Sequence, residues 1–133
     1  MRFGYTIVYV ENVRAALAFF KTAFDFETRF FNDAGEAGQY GELDTGDTVL
    51  SFASFGLAES NLPASFMRLS DLERPAGIEV AIVTDDVPST ITRAIDAGAE
   101  LVAEAREKPW GQTVGYVRAT HGLLIEVCTA VGE

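Results

Sequence analysis

The chain has 133 residues, 48% of them hydrophobic and 23% charged, which is the size and make-up of one ordinary globular domain. Its net charge of −10 argues against a nucleic-acid or anionic-membrane partner, since both need Lys and Arg to neutralise phosphates, and it favours a cationic ligand where it is more than a solubility device. A single cysteine, Cys128, leaves no internal disulfide framework, and the apolar run before Glu11 is too short for a signal peptide or membrane span, so a cytoplasmic protein is expected.

Tyr5 to Val10 is a continuous β-branched and aromatic run and reads as a buried strand. Asn12 can cap a helix begun just after it. Val13, Ala16, Leu17, Phe20 and Phe24 recur at helical spacing, so Val13 to Phe24 is an amphipathic helix lying on a sheet. Phe26 to Phe31 reads as a strand and Asp33-Ala-Gly-Glu as a turn. Gly38 to Leu43 and Thr48 to Ala53 are two more strands, joined by a hairpin turn at Asp44-Thr-Gly-Asp47. Ser54 to Ala76, broken by Gly56, Pro63 and Pro75, reads as a surface linker with a short extended piece at Ser65 to Leu69; the other reading is a lid over a pocket.

The second half opens with another β-branched run, Ile78 to Thr84. Asp85 and Asp86 offer a cap, Pro88 sits in the first helical turn, and Val87, Ile91, Ala94 and Ile95 make an apolar face that ends at Gly98. Ala99 to Ala105, Thr113 to Ala119 and Leu123 to Cys128 are the last three strands, with His121-Gly122 as the final turn. This half repeats the first. Val10-Glu-Asn-Val13 falls on Thr84-Asp-Asp-Val87, Leu17 on Ile91, Ser51 on Glu126, and Gly38-Gln39 on Gly111-Gln112, which suggests a shared structural role for the two glutamines. Each half is too small to bury both faces of its own sheet, so two paired halves are expected to form one curved sheet with helices outside.

Side chains alternate along a strand. Leu124, Glu126 and Cys128 therefore share a face, as do Tyr5, Ile7 and Tyr9, then Val49, Ser51 and Ala53, and then Glu79, Ala81 and Val83. The opposite faces are more uniformly apolar and suit packing under helices. Glu126 is the conspicuous residue, a carboxylate in the middle of an apolar strand that must find a cation, a donor or a raised pKa. Glu79 and Glu126 facing one cavity could hold a cationic ligand or serve as a base; the structural alternative pairs Glu79 with Arg118 or Arg68. Tyr5 and Tyr9 offer hydroxyls to a ligand or simply pack, and Trp110 is either a stacking surface at the mouth of that cavity or a packed aromatic. Cys128 reads as an inert buried thiol.

The tandem β-α-β-β-β repeat, with each first strand running into Val10-Glu-Asn-Val13 or Thr84-Asp-Asp-Val87, resembles the vicinal oxygen chelate superfamily of glyoxalases, bleomycin-resistance proteins and extradiol dioxygenases. Pro109-Trp-Gly-Gln112, Tyr116-Val-Arg118 and Gly122-Leu-Leu-Ile-Glu126 resemble its closing motifs. The resemblance implies an α+β fold: tandem βαβββ modules, residues 1–54 and 77–133 around a linker at 55–76, forming a cupped, barrel-like mixed sheet that encloses a ligand. It also implies four metal-ligand positions, which here carry Tyr5, Ser51, Glu79 and Glu126. Only Glu126 fits the family's glutamate. The family's first-strand histidines are replaced by Tyr5 and Glu79, and His121, the one histidine, sits in a turn where the family has an acidic residue and is not expected to reach the cup. Zinc, nickel and iron favour imidazole or thiolate, so no metal cofactor is expected; a divalent ion, if held, would rest on Glu79 and Glu126.

The missing histidines favour a metal-free homodimer of the bleomycin-resistance type, binding a small molecule through Tyr5, Tyr9, Ser51, Glu79, Trp110 and Glu126. A second reading is a lyase, isomerase or dioxygenase with an altered metal set, or an acid/base enzyme, with Glu126 as the candidate catalytic residue. A third is a vestigial cup filled by side chains, which leaves a dimerising structural module.

Overall fold

A computed structural model describes residues 1–132. Strand β1 (Tyr5–Val10) leads into helix α1 (Val13–Phe24), which Asn12 caps by accepting a hydrogen bond from the Ala15 N–H at 3.0 Å. Strands β2 (Thr28–Asp33), β3 (Gln39–Leu43) and β4 (Val49–Ser54) complete the first module, and helix α2 (Phe55–Asn61) opens the linker. The second module repeats the first with β5 (Glu79–Val83), α3 (Val87–Asp96), β6 (Glu100–Glu107), β7 (Thr113–Arg118) and β8 (Leu124–Cys128). Strand β2 starts two residues later than its apolar pattern suggests. Asp25 closes α1 in the left-handed conformation, and Phe26 folds back onto the core.

The sheets have orders β1-β4-β3-β2 and β5-β8-β7-β6. Within each, the first strand runs parallel to the last and the other pairs are antiparallel. The expected single barrel-like sheet is not formed: β1 and β5 are both edge strands, and no strand pairing among the described residues joins the two sheets. What unites the modules is their helix side. Helix α1 lies on β3 and β4, α3 lies on β6, β7 and β8, and the two helices touch each other. Arg93 of α3 donates from Nε to the Thr22 carbonyl of α1 at 2.7 Å. One continuous core holds Val8, Val13, Phe20 and Phe52 of the first module with Val87, Ile91, Ile125 and Val127 of the second.

Both helices sit close because the third strand of each module carries a glycine beneath them. A Cβ on Gly41 would stand 2.8 Å from Leu17 Cδ1, and one on Gly115 would collide with Ile91 Cδ1 and come within 3.2 Å of the Ala103 carbonyl. The repeat also fixes strand ends. The Gln39 N–H donates to Ser54 Oγ at 2.9 Å, and the Thr113 N–H donates to Thr129 Oγ1 at 3.0 Å. Gln39 is thus the counterpart of Thr113. The expected match with Gln112 is off by one, and the two glutamines do different things: Gln39 bonds Asp33, and Gln112 bonds Trp110 and the Thr129 carbonyl.

The linker is more ordered than a surface connection. Helix α2 is capped by the Ser54 hydroxyl and buries Phe55 and Ala58. Further along comes a short 3-10 turn, Leu69–Asp71. It runs directly over Gly122, whose φ of 96° and missing side chain both matter, because a Cβ there would lie 2.5 Å from the Leu69 carbonyl. The Arg118 guanidinium fastens it, with Nη2 donating to the carbonyls of Leu69 at 2.9 Å and Leu72 at 2.8 Å.

Gly115→Ala is expected to destabilise the fold by about 1–3 kcal/mol through overpacking. Trimming the opposing side chain in Gly115→Ala/Ile91→Val should recover part of that loss, a non-additivity that urea unfolding of the four proteins in the cycle measures directly.

Candidate functional site

Helix packing commits one face of each sheet, so the other face is where unpaired chemistry collects. On β8, Ile125 and Val127 point to the core, while Glu126 takes the open side and is half-buried. Tyr116 lies directly across from it on β7 and donates its hydroxyl to Glu126 Oε1 at 3.0 Å. Burial and that bond push the Tyr116 phenol up to about 12, so it stays a donor. Glu79, on the other neighbouring strand β5, reaches the same carboxylate. Partial desolvation raises its pKa first, and the charge of Glu126 and a hydrogen bond with it raise it further. Glu79 thus holds its proton more readily than an isolated carboxyl does. Cys128, next along the face, is pushed up to about 11 by burial and by Glu126, which keeps it a protonated, unreactive thiol.

The first module carries a related arrangement with its groups exchanged. Its carboxylate, Glu42, is on β3 and its hydroxyl, Ser51, is opposite on β4. The Tyr40 hydroxyl donates to Glu42 Oε2 at 2.8 Å and lies 3.0 Å from Ser51 Oγ. Burial raises the Tyr40 pKa. Arg29 approaches Glu42 with Nε 3.7 Å from Oε1. Among the described residues no Lys or Arg stands within ion-pair reach of Glu79 or Glu126. The expected arginine partners are engaged elsewhere: Arg118 holds the linker, and Arg68 pairs with Glu59 at 3.2 Å and lies over the Phe55 ring.

The sequence-derived residues are therefore only partly brought together. Glu79 and Glu126 meet. Ser51 is fully buried and bonded to Tyr40, Tyr5 is more than half exposed at the start of β1, and Tyr9 packs edge-on against the linker's Phe66 at 4.8 Å. Trp110 sits in the β6–β7 turn, 67% exposed, donating Nε1 to Gln112 at 2.7 Å. Sequence reasoning passed over Tyr40, Glu42 and Tyr116. Carrying the alternation onto the third strands finds them, since Glu42 lies opposite Ser51, Tyr116 lies opposite Glu126, and Tyr40 shares the face of Glu42.

Tyr5, Ser51, Glu79 and Glu126 do not fit a transition-metal centre. No imidazole is among them, Ser51 is bonded to Tyr40, and no group of three His, Cys, Asp or Glu able to hold an ion occurs among the described residues. His121 is far from this chemistry. Its ring stacks on Phe20 at 5.9 Å and lies against Phe19 and Phe52, and neither nitrogen has a hydrogen-bond partner. Burial lowers its pKa to about 4.

The clefts do not centre on Glu126. One of about 490 Å³ lies at the seam between the modules, with Thr6 and Leu50 on one side and Val80 and Ile82 on the other. A neighbouring one of about 280 Å³ lies under the linker, with Glu79 in its wall. A third, also about 490 Å³, runs along β6 and β7 past Tyr116.

A family model described as the Glyoxalase/Bleomycin resistance protein/Dioxygenase superfamily matches residues 2–127. Among solved structures, a glyoxalase-related enzyme from Fulvimarina pelagi superposes with a TM-score of 0.80 at 17% identity, covering 98% of this chain and 88% of that one. A glyoxalase/bleomycin resistance protein/dioxygenase family enzyme from Burkholderia phytofirmans PsJN gives 0.74 at 18% identity, covering 96% and 98%. A glyoxalase family protein from Bacillus cereus gives 0.74 at 19% identity, covering 99% and 95%. At such identities the likeness is one of fold. No curated protein matches the chain. Among the described residues no helix is long and apolar enough to cross a membrane.

Two pH effects are expected. His121 titrates near 4 in the folded chain and near 6.5 unfolded, so its contribution to stability is complete above pH 6.5 and is lost as pH falls towards 4, about 3 kcal/mol in all. His121→Leu should flatten the acid limb of a plot of unfolding free energy against pH. Glu79 has the opposite sign, because its folded pKa is raised and its ionisation works against the fold. Glu79→Gln should raise the Tm at neutral pH by on the order of 2 °C, with the gain gone at about pH 4 where the carboxyl is protonated anyway.

Proposed function

The chain belongs to the Glyoxalase/Bleomycin resistance protein/Dioxygenase superfamily, and from that membership we propose that it binds a small cationic molecule on the open face of its second module, without a metal. The observation that supports this reading is the Glu79–Glu126 contact. Two carboxylates meet on an open sheet face with no counter-charge from the described residues, in a chain of net charge −10. A ligand cation placed there would relieve a repulsion that the protein alone leaves standing. Tyr116 would then orient Glu126.

A homodimer is part of the same reading. Phe30, Leu101 and Val102 are between 41% and 50% exposed, and they lie on β2 and β6, the strands at the outer sheet edges. Exposed apolar groups beside unpaired strand edges suit a second copy.

An acid/base enzyme is the competing reading, and one feature favours it: a carboxyl of raised pKa, Glu79, beside Glu126 and a phenol that stays protonated. Glu126 would be the base and Tyr116 the donor.

Titration calorimetry at neutral pH with tetramethylammonium, choline and benzamidine is expected to give binding that weakens about tenfold or more in Glu126→Gln. Binding should also weaken as pH drops through the raised pKa of Glu79. If none of these cations binds, the proposal is overturned. Sedimentation equilibrium should return twice the chain mass.

A further inference from the structure

The carboxylate pair is not isolated from the rest of the molecule, because Glu79 also forms part of the wall of the cleft beneath the linker. That cleft exists for a topological reason. Strands β1 and β5 are the inner edges of two sheets that do not pair, so the seam between them is left open rather than closed by a ladder. Its walls are apolar: Ile7 from β1, Ile78 and Val80 from the start of β5, and Phe66 and Met67 from the linker above. It borders the larger cleft further along the seam, with Thr6 and Val80 in the walls of both.

The roof is held from both sides. Phe66 packs on Tyr9 at 4.8 Å and on Phe55 at 6.1 Å, and Arg118 fixes the next turn of the linker through the Leu69 and Leu72 carbonyls. The space is therefore shaped before any ligand arrives. The larger cleft, about 490 Å³, is in the range of small-molecule sites, and the smaller, about 280 Å³, is just below it. A ligand that filled only the carboxylate pair would leave this groove in contact with water, and one that filled only the groove would leave the two carboxylates opposed.

We propose that the protein's ligand is an amphiphilic amine, with its ammonium group between Glu79 and Glu126 and its apolar chain lying in the intermodule seam beneath Phe66 and Met67. This rests on the cation-binding reading given above and adds the chain's place and character. It predicts affinity that grows with the length of the apolar part, at about fourfold per methylene until the groove is full.

The test compares tetramethylammonium, n-butylamine, n-octylamine and octanoate by calorimetry. The order expected is octylamine tighter than butylamine, with octanoate not binding. Ile7→Trp, which narrows the groove at a position 40% exposed, should flatten the dependence on chain length. Should that variant fold poorly, the wild-type methyl spectrum carries the same information. The chain has two methionines, and octylamine should shift the [13C]methyl resonance of Met67 while leaving that of Met1 in place. Equal affinity for tetramethylammonium and octylamine, with no shift at Met67, would sink the seam and leave the cation site standing. Octanoate binding as tightly as octylamine would remove the amine from the proposal. No binding by any of the three cations would overturn both readings together.

Discussion

In each module the helix lies so near the third strand that the strand can carry no side chain where they meet. Gly41 under Leu17 and Gly115 under Ile91 are the same contact made twice. This close approach decides the rest. It commits one face of the central strands to the helix, where burial of groups such as Phe20, Phe52 and Ile125 supplies on the order of 2–3 kcal/mol each. Alternation then leaves the remaining side chains on the other face, where Glu126, Tyr116, Ser51 and Glu42 are found. The polar chemistry is a consequence of the packing: it sits where helices cannot.

The two modules show how a repeat can keep its frame while its site diverges. The hydroxyl at the end of the last strand, Ser54 or Thr129, bonds the same N–H of the third strand in both. Across the sheet, Glu42 and Ser51 are answered by Tyr116 and Glu126, so the carboxylate and the hydroxyl have changed strands. The balance of charge changes as well. Arg29 approaches Glu42, whereas Glu126 faces Glu79. A like-charge contact is a cost to the fold that packing does not require, which is why the second module is the more informative of the two.

The one histidine illustrates how burial overrides residue type. In a superfamily whose metal-dependent members use imidazole, the natural suspicion falls on His121. Its ring instead fills a gap among Phe19, Phe20 and Phe52 and ties the β7–β8 turn to the helix of the other module. With neither nitrogen bonded, it serves as an aromatic filler and stays neutral at ordinary pH.

By itself the sequence determined the local structure and its repetition. The limits of β1 and α1, the Asn12 and Asp86 caps, the turn at Asp44–Asp47 and the face shared by Glu79 and Glu126 are all written in period-two and period-3.6 patterns, which depend only on near neighbours. It was weaker where the cause is distant. Helix α2 was hidden by Gly56 and by its brevity, since its stability comes from burying Phe55 and Ala58 rather than from propensity. The partners of Arg118 and Arg68 could not be read, because a long flexible side chain chooses among groups that only folding brings near: linker carbonyls for one, Glu59 and the Phe55 ring for the other. The separation of the two sheets, and with it the open seam between β1 and β5, was likewise decided in three dimensions, since edge-to-edge pairing depends on how two already folded modules dock through their helices.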